Sequence, residues 1–124
     1  MAKRRTVFQL LQHWLRKRVW SMDIADSAWI APSAYIDRTN PRGIHIEDNC
    51  VVDLGAIILS HDTTRGLRPH TRLGARSLVG ARAIIMPGVT VGKDCQIAPG
   101  SVVLADLPDG AMVRGNPAKQ HPDS

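Results

Sequence analysis

A histidine and an aspartate stand where the chain otherwise places apolar and small residues. The run "AIIL" at residues 56–59 ends at Ser60, His61 and Asp62. An imidazole with an ordinary pKa of about 6.5 is largely neutral at neutral pH and can take a proton from a reacting hydroxyl. The carboxylate beside it can bind a polar ligand or simply begin a turn. Residues 60–62 are therefore a candidate for chemistry, against the alternative of a solvated loop.

The break is visible because the rest of the chain follows a period of six. An apolar residue recurs in phase at Ile24, Ile30, Ile36, Ile46, Val52, Ile58, Leu73, Val79, Ile85, Val91, Ile97 and Val103. A small or compact residue often stands four positions later, at Ala28, Ala34, Cys50, Ala56, Ser77, Ala83, Val89, Cys95 and Ser101. This period predicts a parallel β-helix, in which each hexapeptide forms one strand and one turn. The apolar residues then point into a prism, and the small residues fit its corners.

The period slips twice, and each slip adds residues that a coil does not need. Four extra residues lie between Ile36 and Ile46, in a segment that contains residues 40–43. Three more lie between Ile58 and Leu73, within residues 63–70. Insertions in a solenoid become surface loops, which often carry function. Asp62 falls on a small-residue position, where a carboxylate is unfavourable, so we expect the chain to leave the coil there.

A different pattern precedes the repeat. Residues 6–20 place apolar groups at helical spacing on one stripe, which predicts an amphipathic α-helix. The first 20 residues hold six of the 16 basic residues and none of the 11 acidic ones, so the net charge of +5 belongs to this arm. A nucleic-acid surface would need basic residues on a folded face. We divide the chain into a basic helix, residues 1–22, and a β-helix domain with a C-terminal tail, residues 23–124.

The helix has two candidate roles. It can cap the open end of the coil, or residues 1–20 can contact an anionic membrane surface through apolar and basic side chains. No apolar run is long enough to span a membrane, and polar residues interrupt the N-terminal apolar stretch, so we expect no signal peptide. Cys50 and Cys95 fall on small-residue positions, which favours core packing over a disulfide. We expect a cytoplasmic protein, with the inner face of the membrane as a second location.

Longer motifs carry a family resemblance. The segments "IHIEDNCVVDLGAIILSHD", "RLGARSLVGARAIIMPGVTVGKDCQIAPGSVVLADLP" and "VRGNPAK" resemble the hexapeptide-repeat acyltransferases, above all the maltose and galactoside O-acetyltransferase branch. The resemblance implies an all-β fold, a left-handed parallel β-helix of about four coils with an N-terminal α-helix. It implies a homotrimer with active sites between subunits, and acetyl-CoA or another acyl-CoA as donor. The acceptor would be a hydroxyl of a sugar or a similar small molecule, as in polysaccharide biosynthesis.

The same resemblance assigns roles to loop residues. The catalytic histidine of the family falls on His61, which would act as general base in direct transfer without an acyl-enzyme. Acceptor contacts fall on Asn40, where an Asn-Pro turn is the alternative, and on His70, which resembles an acceptor-site histidine of serine acetyltransferases. Asp62 is open to three roles, because it can bind acceptor hydroxyls, tune His61 or start the turn.

The donor would lie along the later coils, held mainly by backbone groups. The matching positions are Gly80, Ala81, Arg82 and Pro99. Arg114 and Lys119 are further candidates for binding the phosphates of CoA. The family usually has a Thr-Lys pair where this chain has Leu104 and Ala105, so Arg114 could replace the missing cation.

Two alternatives remain open at this point. One is a metal protein similar to the γ-class carbonic anhydrases, which would need convergent histidines. The spacing of His45, His61 and His70 does not suggest such a set, and we expect no metal. The other is a non-catalytic β-helix that serves only in assembly, for which His61 would have no special role.

Overall fold

The computed structural model describes residues 4–120. The α-helix α1 covers Val7–Trp14 and continues as a π-helical turn over Leu15–Val19, and a 3-10 turn covers Pro41–Gly43. The strands are β1 Asp23–Ile24, β2 Trp29–Ile30, β3 Tyr35–Ile36, β4 Ile44–Ile46, β5 Val51–Val52, β6 Ile57–Ile58, β7 Thr71–Leu73, β8 Leu78–Val79, β9 Ile84–Ile85, β10 Thr90–Val91, β11 Gln96–Ile97, β12 Val102–Val103, β13 Met112–Arg114 and β14 Lys119–Gln120.

The strands form the three faces of a prism. Face A contains β1, β4, β7 and β10; face B contains β2, β5, β8, β11 and β13; face C contains β3, β6, β9 and β12. The chain passes from face A to B to C, and the neighbours within each face are parallel, while β14 pairs antiparallel with β13. Ile24 lies beside Ile46, and Ile46 beside Leu73. Equivalent positions therefore stack, which confirms the predicted four coils.

The core consists of the residues that the period places inside. All twelve in-phase apolar residues and all nine small residues named above are buried. Backbone hydrogen bonds join successive coils, as from Trp29 N to the oxygen of Cys50 at 2.8 Å. Cys50 and Cys95 are buried free thiols, and burial raises the pKa of the Cys50 thiol. This environment disfavours the reactive thiolate.

The N-terminal helix lies against the first coil through its polar side. Each coil donates its strand N–H groups to carbonyls of the next coil, so the first coil has carbonyls that no earlier coil can serve. Gln9 Nε2 donates to the oxygen of Ile30 at 2.9 Å, Gln12 Nε2 donates to that of Pro32 at 3.1 Å, and Arg5 donates to the carbonyls of Asp26 and Ala28. These side chains replace the missing donors.

Because the polar side faces the coil, the apolar stripe of α1 faces outward. Val7 is 84% exposed, and Phe8, Leu11 and Trp14 are each more than half exposed. Thr6 caps α1 through a capping box with Gln9. The helix predicted over residues 6–20 is therefore present, but it is α-helical only to Trp14. Within residues 4–120, no helix is long and apolar enough to cross a membrane.

Candidate active site

Both insertions leave the prism at the corner between face C and face A. The first joins β3 to β4, and the second joins β6 to β7 on the next coil. We call residues 59–70 the histidine loop, because His61 and His70 stand near its two ends. The period therefore locates both loops correctly, and the stacking of coils brings them together.

Asp37 holds the start of the histidine loop, and the sequence gives no warning of this role. Asp37 is buried, with 3% of the residue exposed. Oδ2 accepts from the backbone N–H groups of Ser60 at 3.0 Å and His61 at 3.1 Å, and Oδ1 accepts from Thr39 N at 3.0 Å. Burial acts to raise the pKa of Asp37, but the hydrogen bonds from Thr39, Ser60 and His61 outweigh it and lower the pKa. Asp37 is therefore a buried anion that fixes the backbone of His61.

Asn40 joins the two ends of the histidine loop. Its Nδ2 donates to the carbonyl of Ser60 at 2.8 Å and to that of Pro69 at 3.1 Å. Those carbonyls directly precede His61 and His70, so a single amide sets the positions of both histidine backbones. Ser60 Oγ also donates to the backbone oxygen of Asn40 at 2.7 Å. The side-chain nitrogen of Asn40 thus has a structural role, and an acceptor contact could use only its Oδ1.

Asp62 closes a turn inside the loop. Its Oδ2 accepts from Arg65 Nε at 2.7 Å, its Oδ1 accepts from Arg65 N at 3.1 Å, and its backbone pairs with Leu67. The hydrogen bond from the Arg65 side chain lowers the pKa of the Asp62 carboxyl. Of the three roles considered for Asp62, the geometry supports the turn. The chain leaves the coil here, as expected from a carboxylate at a corner position.

His61 is half-buried, and its backbone N–H is bound by Asp37. Within residues 4–120, its imidazole makes no hydrogen bond to another side chain or backbone group. The ring is therefore available to a ligand at the mouth of the loop. The position of the ring is set by the backbone, which Asp37 and Asn40 hold on either side of the Ser60–His61 bond.

His70 belongs to a hydrogen-bonded chain of three side chains. His70 Nδ1 lies 2.6 Å from His45 Nε2, and His45 Nδ1 lies 2.8 Å from Asp23 Oδ2. The two imidazole rings are stacked, with centroids 4.9 Å apart. The His45 side chain is 15% exposed, whereas Asp23 is 75% exposed. Sequence reasoning did not assign roles to Asp23 and His45.

The hydrogen bonds among Asp23, His45 and His70 fix which ring nitrogens carry protons. The Asp23 carboxylate can only accept, so neutral His45 carries its proton on Nδ1 and presents a lone pair on Nε2. That lone pair must accept from His70 Nδ1–H. Neutral His70 is therefore left with a lone pair on Nε2, at the free end of the chain.

The predicted donor residues lie at another corner, where face B passes to face C. A cavity of about 250 Å³ on this side is lined by Gly80 and Pro99 together with Leu78 and Met112. Gly80 itself is buried, and a Cβ there would lie 2.6 Å from Pro99 N. Its missing side chain is therefore required by coil stacking, whether or not CoA binds.

The candidate cations of the donor site are all exposed. Arg82 has φ +59°, a left-handed conformation that is unfavourable for a residue with a side chain. Arg114 and Lys119 are paired in register on β13 and β14, so those two charges lie side by side. Ala81 is half-buried between Gly80 and Arg82. Among residues 4–120, no three His, Cys, Asp or Glu side chains are placed to hold a metal ion.

Comparisons with known proteins agree with this repeat architecture. The family model of the bacterial transferase hexapeptide (six repeats) matches residues 70–105, and that of the hexapeptide repeat of succinyl-transferase matches residues 33–60. YvoF of Bacillus subtilis (strain 168), which its name assigns provisionally to the acetyltransferases, is 29% identical over 121 residues, or 94% of this chain and 69% of that protein. Serine acetyltransferase 2 of Arabidopsis thaliana is 32% identical over 106 residues, or 82% of this chain.

The chain spans only 32% of the length of that serine acetyltransferase. Among solved structures, a maltose O-acetyltransferase from Clostridium difficile 630 superimposes with a TM-score of 0.61 at 20% identity, over 80% of this chain and 67% of that one. The likeness shows the fold, a left-handed parallel β-helix with an N-terminal helix, as predicted. With the two repeat matches and the acetyltransferase relatives, it shows that the chain belongs to the hexapeptide-repeat acetyltransferases.

Proposed function

We propose that the chain transfers the acetyl group of acetyl-CoA to a hydroxyl of a sugar or a similar small acceptor, directly and without an acyl-enzyme. The observation that carries this proposal is the histidine loop. Asn40 ties together the backbones that precede His61 and His70, so the two histidines begin from neighbouring points of the backbone. Two such groups can address two hydroxyls of one acceptor, which suits a molecule with neighbouring hydroxyls.

The two histidines differ in what holds them, and we give them different roles. His61 has a free imidazole and takes the proton of the attacking hydroxyl as its oxygen adds to the thioester carbonyl. When the carbon–sulfur bond breaks, His61 returns that proton to the departing thiolate of CoA. General-base help of this kind contributes about 10²–10⁴ in rate, and holding both substrates together in a cleft contributes much of the remainder.

His70 holds the acceptor in this proposal. Its Nε2 lone pair, fixed by His45 and Asp23, accepts a hydrogen bond from a second hydroxyl of the acceptor. A histidine without these partners could rotate or carry its proton on the other nitrogen. Asp23 and His45 are therefore positioning residues, which act on the acceptor only through His70.

The donor side of the proposal requires a second copy of the chain. Arg82 and Pro99 lie at the corner between faces B and C, whereas His61 lies at the corner between faces C and A. Face C separates these two corners in a single prism. We propose a homotrimer in which the donor groove of one copy lies against the histidine loop of the next, with Arg82, Arg114 and Lys119 near the phosphates of CoA. Because acetyl-CoA is the donor, we also propose a cytoplasmic location.

Thiol release from acetyl-CoA tests the reaction. We expect the chain to release CoA in the presence of at least one member of a panel of sugars, with serine included because a serine acetyltransferase is among its relatives. His61→Ala should lower kcat by about 10²–10⁴-fold while the circular dichroism spectrum is unchanged. No acceptor-dependent release with any hydroxyl compound would refute the function, and near-normal kcat in His61→Ala would refute the role of His61.

Mixed trimers test the shared site. His61→Ala and Arg82→Ala subunits should each be weak alone. If the cleft lies between copies, co-expression should restore part of the activity, because some clefts then combine an intact histidine loop with an intact donor groove. Activity that stays at the level of the two separate variants would exclude a shared cleft.

A further inference from the structure

A pocket of about 260 Å³ lies between the N-terminal helix and the first coil. Its walls combine two cations, three aromatic rings and an apolar helical side chain: Arg16, Arg38, Trp20, Tyr35, Phe8 and Leu11. No residue to which we give a role in acetyl transfer lines this pocket. Its composition is unusual because the charged groups in its walls are all of one sign.

Arg16 is a buried cation without a counter-charge. It is 7% exposed, and its guanidinium makes no ion pair or hydrogen bond with the other residues of the described chain. The charged neighbour that acts on it is a second cation, Arg38. Burial, and then repulsion by Arg38, lower the pKa of Arg16 to about 10. A buried charge that lacks a partner is strongly unfavourable, so an anion in the pocket would stabilise this arrangement.

The other polar groups of the pocket restrict what the anion can be. Arg38 lies over the ring of Trp20, with Cζ 5.2 Å from the ring centroid, which fixes its guanidinium beside the pocket. Gln12 also lines the pocket, and its Oε1 is buried without a hydrogen-bond donor among the described residues. Two guanidinium groups and one acceptor match a phosphate that carries or adjoins a hydroxyl.

The apolar surroundings indicate where this phosphate comes from. Val7, Phe8, Leu11 and Trp14 are exposed on the outward side of α1, beside the pocket. A soluble phosphate would leave these side chains in water. An anionic phospholipid would satisfy the arginines with its headgroup and cover the apolar side with its acyl chains. The absence of acidic residues from the first 22 positions removes repulsion from an anionic surface.

We propose that Arg16 and Arg38 bind the phosphate of an anionic phospholipid, and that the outward apolar side of α1 lies in the bilayer surface around it. The polar side of the same helix remains bound to the first coil through Gln9 and Gln12. Capping the coil and contacting a membrane are thus simultaneous roles of opposite sides of one helix. The histidine loop would then be held near acceptors at the inner membrane face.

Vesicle co-sedimentation tests the proposal without any measurement of acetyl transfer. The full chain should sediment with vesicles of phosphatidylglycerol and phosphatidylcholine, and much less with phosphatidylcholine alone or at high salt. Arg16→Met should weaken this binding about fivefold, the usual effect of one basic residue at such a surface. Its thermal unfolding midpoint should be unchanged or higher, because an unpaired buried charge is removed. Lys93→Met, a loss of charge at an exposed turn, is the matched control.

A second matched pair of variants tests the apolar side of α1. Phe8 and Leu54 are both 57% exposed, so Phe8→Ser should weaken vesicle binding by about tenfold or more and Leu54→Ser should not. Equal sedimentation of Arg16→Met and the unaltered chain would overturn the proposal. So would stabilisation by inorganic phosphate together with no vesicle binding, which would show a site for soluble phosphate. Dissociation of the assembly by Phe8→Ser in gel filtration would show that a second copy covers this side instead.

Discussion

The buried carboxylate of Asp37 gives the sharpest test of how the histidine loop is held. Asp37→Asn keeps the shape of the side chain but replaces one oxygen by an NH2 group. In one orientation the nitrogen faces the N–H groups of Ser60 and His61, and in the other it faces Thr39 and the hydroxyl of Tyr35. The second orientation costs less, because a hydroxyl can rotate and accept from the new NH2 group, so only the N–H of Thr39 loses its acceptor. At about 1–3 kcal/mol for that donor left unpaired, the free energy of unfolding should fall by about 1–3 kcal/mol.

Urea unfolding followed by circular dichroism measures that loss. A small domain commonly has about 5–15 kcal/mol of stability, so Asp37→Asn should remain folded in the cold, where kcat for acetyl transfer can be compared. We expect kcat to fall as well, because the backbone of His61 is no longer fixed. Asp109→Asn is the control: Asp109 is exposed and accepts one hydrogen bond, from Lys93 N at 2.8 Å, and should change stability by less than about 0.5 kcal/mol.

Acid titration adds a second signature of the same residue. Asp37 has a lowered pKa in the folded state, so the unfolded state binds its proton first as the pH falls. Its contribution to stability is present above the ordinary aspartate pKa of about 3.9 and is lost as the pH falls through the lower folded value. The unaltered chain should therefore lose stability in this range more steeply than Asp37→Asn. One unpaired buried donor is expected to cost at least about 1 kcal/mol. If Asp37→Asn changes the free energy of unfolding by less than that, Asp37 does not hold the loop.

Three further predictions concern the acceptor, the donor and the helix. Asp23→Ala should raise KM for the acceptor more than it lowers kcat, and so should His45→Phe, which keeps the stacked ring. If His70→Ala lowers kcat as much as His61→Ala does, His70 acts as the base instead. Arg82→Gly should raise the free energy of unfolding by about 0.5–1 kcal/mol by relieving its positive φ and should raise KM for acetyl-CoA; Arg76→Gly, also at positive φ, should leave that KM unchanged. Hydrogen bonds from His13 and Lys17 lower the pKa of Asp26 to about 2, so stability should fall between pH values of about 4 and 2, and Asp26→Asn should remove this part of the loss in urea titrations.

Most of the fold could be predicted because the repeat carries the same information many times. A single apolar residue says little, but twelve in phase can be satisfied only by stacked hexapeptides. The helix lacked such redundancy. Its apolar stripe was evident, but the side that faces the coil was decided by the unserved carbonyls of Asp26, Ala28, Ile30 and Pro32. Those carbonyls belong to the backbone, which the side-chain pattern does not report.

The site shows the same division. The period located the histidine loop, and the family resemblance pointed within it to His61 and His70. Asn40 and Asp62 were candidate acceptor contacts, with a turn as the alternative for each, and the geometry uses Asn40 Nδ2 and the Asp62 carboxylate to hold the loop. Asp37 escaped notice because an aspartate after an apolar residue is common in the turns of this chain. Its importance comes from burial, which depends on the insertion folded over it.

The Asp23–His45 pair could have been predicted from the sequence, whereas the contact between His45 and His70 could not. Asp23 and His45 each directly precede an inward isoleucine, so the period places them at equivalent positions on adjacent coils, and the register joins them. The same rule places Arg72, which precedes Leu73, next to His45, and the register of β4 and β7 agrees. Face A therefore carries an aspartate, a histidine and an arginine on successive coils, as a regular repeat requires. The insertion adds His70, which meets the ring of His45 from the end of the histidine loop. It thereby turns a pair of surface residues into a proton-ordered series of three, whose last member is tied through Asn40 to the backbone of the candidate base.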